Sequence, residues 1–168
     1  KELFPDAKNV AILYCSAEAN SKYQATEFEK YLDEDSISYK EFTASDSNDI
    51  GSVVQSAIEY ADVIYIPTDN TMAQNTEAIN NIALPAGVPI IAGEEGICSG
   101  CGVATLSISY YDIGYKAGEM AYDILVNGAD ITTMNVESAP QVTKEYNKDI
   151  CDQLGITIPD DYTAIETN

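Results

Sequence analysis

The chain has 168 residues, 45% of them hydrophobic and 21% charged, enough for one domain with a buried core or for one lobe of something larger. Its 28 acidic residues face 8 basic ones, all lysine, and Arg, His and Trp are absent. That leaves no Ser–His or Cys–His nucleophile pair and no HExxH zinc site, while a net charge of −20 without any basic stripe repels nucleic acid.

Asn9–Tyr14 is a short, almost wholly apolar run, the pattern of a parallel strand covered on both faces. Ser21, with Gln24 three residues on, forms a capping box for a helix carrying Phe28, Tyr31 and Leu32 at helical spacing. Ser38–Phe42 gives a brief second strand, and Ser47 caps a helix whose apolar face is Ile50, Val53, Val54, Ala57 and Ile58. Asp62–Ile66 is the third strand, halted by Pro67. Asn70 or Thr71 then caps a helix burying Ile79, Ile82 and Ala83, which Gly87 and Pro89 end before a fourth strand at Ile90–Ala92. Val103–Ile108 reads as the fifth strand. Ile113, Ala117, Met120, Ala121, Ile124 and Leu125 mark an amphipathic helix that stops at Gly128. In the tail, Met134–Ser138 and Gln141–Glu145 are read as two strands around Pro140, followed by a helix near Asn147–Leu154 and an extended end.

Strands alternating with helices imply an α/β fold, a doubly wound parallel sheet built from right-handed crossovers. With strands numbered along the chain, the expected order is 2-1-3-4-5. In such sheets ligands sit beyond the carboxyl ends of the strands where the winding reverses, here between the first and third strands. That places the segments after those strands at one mouth, with Gly93–Gly96 beside them. Ser16, Glu18, Asn20 and Ser21 offer hydroxyls, an amide and helix N–H groups suited to a carboxylate. Thr68, Asp69 and Asn70 set a donor, an anion and an amide in succession, and Glu94 with Glu95 adds carboxylates. Such an edge can hold a zwitterion; the same residue types are also ordinary helix caps and solvated loop side chains. Tyr14, Tyr110 and Tyr111 lie at strand ends, where they could stack on an aromatic ligand or simply pack.

Pairing Asp69 with Glu94 or Glu95 for acid–base work has no support in the spacing, and a receiver-type acidic site fails because Tyr14-Cys15-Ser16 follows the first strand. The reading is therefore of a binding protein without catalysis, cofactor or metal. Cys98 and Cys101 sit among Gly96, Gly100 and Gly102 ahead of a strand, which disfavours a redox C-x-x-C and leaves a loop-stapling disulfide or free thiols. Lys1–Pro5 is neither a signal peptide nor a start methionine, so the chain reads as cut from a longer precursor.

Phe4-Pro5, Ala7-Lys8 and Val10–Tyr14, then Glu18–Ser21, Tyr65–Asn70, Ile91–Gly96, Tyr110-Tyr111 with Gly114, and the closing Leu154–Pro159 together resemble the carboxyl-terminal part of ABC-transporter substrate-binding proteins of the tryptophan/tyrosine-import type. The resemblance implies one lobe of a two-lobed periplasmic-binding-protein-like fold that closes on an aromatic amino acid and serves an ABC permease outside the cytoplasm, membrane-anchored or periplasmic. A ligand-sensing domain of a membrane receptor or regulator is the alternative. Carried over by position, the resemblance implies ligand contacts from Glu18, Asn20, Ser21, Thr68, Asp69, Asn70 and Glu94. Ser109 stands where the family commonly has an acidic residue for the ligand ammonium, so Asp69 or Glu94 is expected to take that role. The expected organisation is a second lobe over 1–109, a crossover helix and returning strands over 110–145 that pack on a first lobe, and a tail over 146–168. Without that first lobe, the helix at 111–127 is expected either to self-associate or to fold back onto its own sheet.

Overall fold

A computed structural model of the protein describes residues 1–139 and 141–166. One sheet runs through it in the order β2-β1-β3-β4-β5-β6-β7. The strands are β1 (Asn9–Cys15), β2 (Ser38–Ala44), β3 (Val63–Ile66), β4 (Ile90–Ala92), β5 (Ala104–Ile108), β6 (Val142–Tyr146) and β7 (Thr163–Ala164). The first five are parallel to their neighbours in the expected 2-1-3-4-5 order, and the chain adds two strands beyond them. The helices are α1 (Ala19–Glu34), α2 (Ile50–Ile58), α3 (Asn70–Ala73), α4 (Thr76–Ala86), α5 (Glu95–Cys101), α6 (Tyr110–Leu125) and α7 (Lys148–Leu154).

Side-chain alternation along β1 divides the core. Val10, Ile12 and Tyr14 point to one face and meet Ala25, Leu32 and Phe28 of α1. Ala11, Leu13 and Cys15 point to the other, where Ile50 and Val54 of α2, Ile79 and Ala83 of α4 and Ile97 of α5 close over the sheet. Burial on both faces is why β1 is apolar without a break.

Several expectations need correction. The segment between β4 and β5 is a helix and not a loop: parallel neighbours cannot be joined by a tight turn, so Glu95–Cys101 winds into α5 despite its glycines. Cys98 and Cys101 therefore lie one helical turn apart, and all four cysteines are buried free thiols. Burial pushes the Cys101 thiol up to about 12, far from a reactive thiolate. Ser21 does not cap α1, which begins two residues earlier. Asp69, rather than Asn70 or Thr71, caps α3, and the helix expected there is split, with α4 restarting after Asn75. In the tail, residues 134–139 form no strand, Pro140 lies outside the described residues, and the returning strand β6 does not leave for another lobe. It pairs antiparallel with β5 of this same sheet, supplying partners for an otherwise open strand edge. Asn147, buried, caps α7 and donates to the carbonyls of Cys98 (3.3 Å) and Ser99 (2.8 Å), tying the tail to α5.

Where β4 ends, Gly93 donates its N–H to the Ile66 carbonyl at 2.7 Å. A Cβ there would sit 2.7 Å from the backbone of Pro67 and Thr68, so only glycine lets the two loop entrances approach this closely. Gly93→Ala is expected to cost about 1–3 kcal/mol, the scale of an overpacked core, and to lower the urea midpoint followed by circular dichroism. An unchanged midpoint would show that the two loops yield freely.

Candidate functional site

The parallel strands end at one edge, and the reversal between β1 and β3 brings the expected residues together there. Asn20 and Ser21, from the first turn of α1, donate to the Thr68 carbonyl at 3.0 and 3.1 Å. Gln24 accepts the Thr68 N–H at 3.0 Å, so the capping-box pair ties α1 to the loop after β3 instead of capping its own helix. Thr68 in turn donates its hydroxyl to the Gly93 carbonyl at 3.3 Å, joining the loop after β4. Ser16, exposed, donates to the Ala44 carbonyl at 3.2 Å and links the ends of β1 and β2.

The carboxylates divide between inward and outward tasks. Asp69 is 1% exposed; one oxygen accepts from the Cys15 N–H and the other from the Met72 N–H, both at 2.8 Å. It staples β1 to the start of α3, with both oxygens engaged by backbone donors. Glu18 is half-buried and accepts four hydrogen bonds: from the backbone and side-chain amides of Asn70, both at 2.9 Å, and from the backbone N–H and hydroxyl of Thr71, both at 2.8 Å. Glu94 caps α5, accepting from Gly96 N–H at 2.9 Å and from Ile97 N–H. Ser109 caps α6 through the Asp112 N–H at 3.1 Å.

The helix starts at this mouth consequently differ. Those of α3, α5 and α6 are capped by side chains of this chain, whereas α1 and α2 have no side-chain cap, and in α1 the N-cap residue Glu18 has turned to α3. The first turn of α1 thus has no side-chain acceptor for its backbone N–H groups, a terminus whose dipole favours negative charge. Tyr110 and Tyr111 are exposed at 59% and 79% at the start of α6, and the Glu94 charge adds to burial in raising the Tyr110 hydroxyl pKa. Tyr14 does not reach the mouth; it is buried beneath α1 with its hydroxyl donating to Glu41 at 3.0 Å. Gln24 and Thr71 belong to this network and were missing from the expected set. Gln24 carried a signal, but for a different bond.

Burial pulls the Glu18 pKa up, and the hydrogen bonds from Asn70 and Thr71 outweigh it, bringing the value from 4.5 down to about 2. A lowered folded-state pKa adds stability that is complete above the unfolded value and is lost as pH falls through the folded one. Glu18→Gln is expected to lower the melting temperature at pH 7, with the gap to the unaltered protein closing between pH 4.5 and 2. A gap constant across that range, in melting curves at each pH, would refute the clamp.

The family described as ABC transporter substrate binding protein matches residues 1–167. A curated tyrosine-binding protein of Clostridioides difficile (strain R20291) is 33% identical over 139 residues, covering 80% of this chain and 40% of that protein. Among solved structures, a ligand-free, open substrate-binding protein with adhesive properties from Clostridium difficile superposes with a TM-score of 0.80 at 31% identity, covering 99% of this chain and 57% of that one. A Streptococcus pneumonia ABC domain in complex with L-Trp gives 0.85 at 30% identity, covering 94% and 53%. The chain thus spans about half the length of the relatives it matches. With a family match over nearly every residue, the chain belongs to the ABC transporter substrate-binding proteins.

Proposed function

We propose that this chain is one lobe of a two-lobed, extracytoplasmic solute-binding protein that captures an aromatic amino acid and presents it to an ABC importer. The observation carrying the reading is the division of labour at the mouth: the starts of α3, α5 and α6 are satisfied by the chain's own side chains, while the first turn of α1 has no side-chain cap and Tyr110 and Tyr111 lie exposed at the start of α6. The α-carboxylate of the ligand takes the first turn of α1, where Ala19 and Asn20 are exposed and the helix dipole favours an anion. A second carboxylate at α3 is disfavoured, since Glu18 and Asp69 already fill its N–H groups.

For the ammonium, Glu94 is the remaining choice of the two expected. Each of its oxygens accepts one backbone bond and keeps a lone pair free, and it is half-buried next to Tyr110, so one group supplies charge and its neighbour a ring face. Relatives described as tyrosine-binding and as complexed with L-Trp support an aromatic side chain on the ligand. Capture alone is required of these groups: the lobe has no histidine and its four cysteines are buried, and closure of two lobes around the ligand supplies the remaining contacts.

The test is calorimetric titration of the complete two-lobed protein with tyrosine, tryptophan and phenylalanine. Glu94→Gln keeps an oxygen to accept the α5 cap while removing the charge, and is expected to weaken binding about 10- to 100-fold, the size of a charge-assisted hydrogen bond. Asp69→Asn is expected to lower the melting temperature with a smaller change in affinity. Unaltered affinity in Glu94→Gln, or no binding of any aromatic amino acid, would overturn the assignment.

A further inference from the structure

The return strand β6 carries a carboxylate that nothing in the fold neutralises. Glu145 stands directly across from Thr105 in the antiparallel β5–β6 pair, so both side chains leave the sheet on one face, with Cβ atoms about 5 Å apart. Thr105 is also in register with Ala92 of β4, which makes this the face that α5 covers. Thr105 is 2% exposed, and Glu145 is half-buried. Among the described residues, two buried side-chain atoms have no hydrogen-bond partner, and they are Thr105 Oγ1 and Glu145 Oε2. A single proton between them would satisfy both.

The groups that face Glu145 favour that proton. From α5 come Glu95 and Cys98, the latter a thiol that burial keeps neutral. From β5 come the hydroxyls of Thr105 and Ser107, and β7 sets the uncharged Thr163 in register. Burial, and after it the Glu95 charge, raise the Glu145 pKa above the ordinary carboxylate value, while Ser107 opposes them without cancelling them. Lys144, the neighbour on the same strand, points to the opposite face, where Glu2 and Asp161 pair with it.

We propose that Glu145 takes up a proton from solvent and, as the carboxylic acid, donates it to Thr105 Oγ1, so that β6 is clasped to β5 by a pH-sensitive hydrogen bond. Proton uptake removes the charge opposite Glu95 and fills both orphaned oxygens in one step. The converse bond, from the Thr105 hydroxyl to an ionised Glu145, fills the same atoms but leaves like charges facing each other beneath α5. The clasp lies where the chain leaves the sheet after β5 and re-enters it through β6, two residues before Asn147 ties the same return to α5. It does not rest on the ligand reading. A raised folded-state pKa in an acid adds stability that is complete below the unfolded value of 4.5 and is lost as pH rises through the folded one. Glu18 has the opposite sign, so acid holds the return strand while it loosens the clamp at the mouth.

Carboxyl-carbon NMR of the isotope-labelled 168-residue chain, with Glu145 assigned through its backbone connectivity, reads the proton directly. The expected midpoint lies above 4.5, and Glu95→Gln is expected to lower it by removing the opposing charge. Thr105→Val takes away the acceptor of the acid and is expected to lower the midpoint as well. A rise in that variant means that the hydroxyl donates to the ionised carboxylate, and overturns the proposal. Melting curves supply a second readout: Glu145→Gln keeps a donor toward Thr105 at every pH, and is expected to melt above the unaltered chain at pH 7 and level with it below pH 4.5. A gap of opposite sign, or one constant with pH, overturns the clasp. So does a Glu145 midpoint at or below 4.5, the mark of a carboxylate satisfied by water or a cation; because that midpoint is read on the unaltered chain, it decides the matter even should a variant fail to fold.

Discussion

The mouth of this lobe depends on one buried carboxylate. Asp69 bridges the end of β1, through the Cys15 N–H, to the first turn of α3, through the Met72 N–H, across the point where the sheet reverses its winding. At such a reversal the connections leave in opposite directions, so a crevice opens unless something holds the two loops in register. A carboxylate satisfied by two backbone donors does this in the interior without stranding a charge, because the donors, like the acceptor, would otherwise be buried and unpaired. Glu18 repeats the device one layer outward with four donors, and Thr68 relays the arrangement to α1 and to β4. The consequence is a mouth whose shape is set by the chain's own hydrogen bonds.

Much of the architecture was legible in the amino-acid order because burial on both faces leaves an unmistakable trace. Val10–Tyr14, Asp62–Ile66 and Ile90–Ala92 are short apolar runs between caps, and the strand order followed from the crossover rule with no further input. The misreadings have a common origin in choosing local chemistry over topology. Gly96, Gly100 and Gly102 spoke for a loop, yet two parallel neighbours require a crossover, and that requirement won at α5. The tail failed in the opposite direction. Gln141–Glu145 had the look of a strand, and nothing along the chain could tell which sheet edge it would find.

The candidate site shows the same division. Residue types and their place at the mouth were readable, and Asn20, Ser21, Thr68, Asp69 and Asn70 do converge. Which way each side chain turns was not. Asp69 and Glu18 have ligand-binding chemistry, but they point at backbone donors that exist only once α3 has formed; those donors are created by the fold and have no counterpart in the sequence. A carboxylate at a helix start is thus ambiguous in principle: the arrangement that would bind a ligand's anion is equally well filled by the protein's own.

That ambiguity bears on why α1 differs from its neighbours. Glu18 occupies the N-cap position of α1, and a side chain there normally folds back onto its own helix. By reaching across to Asn70 and Thr71 it completes α3, a helix of only four residues with little stability of its own, and leaves uncapped the 16-residue α1, which is anchored by Ala25, Leu32 and Phe28 and can sustain a bare first turn. The short helix receives the cap because it cannot stand without one, and the long helix keeps its positive end free. The same loop thereby fixes the geometry of the mouth and leaves, at its edge, the first turn of α1 without a side-chain acceptor.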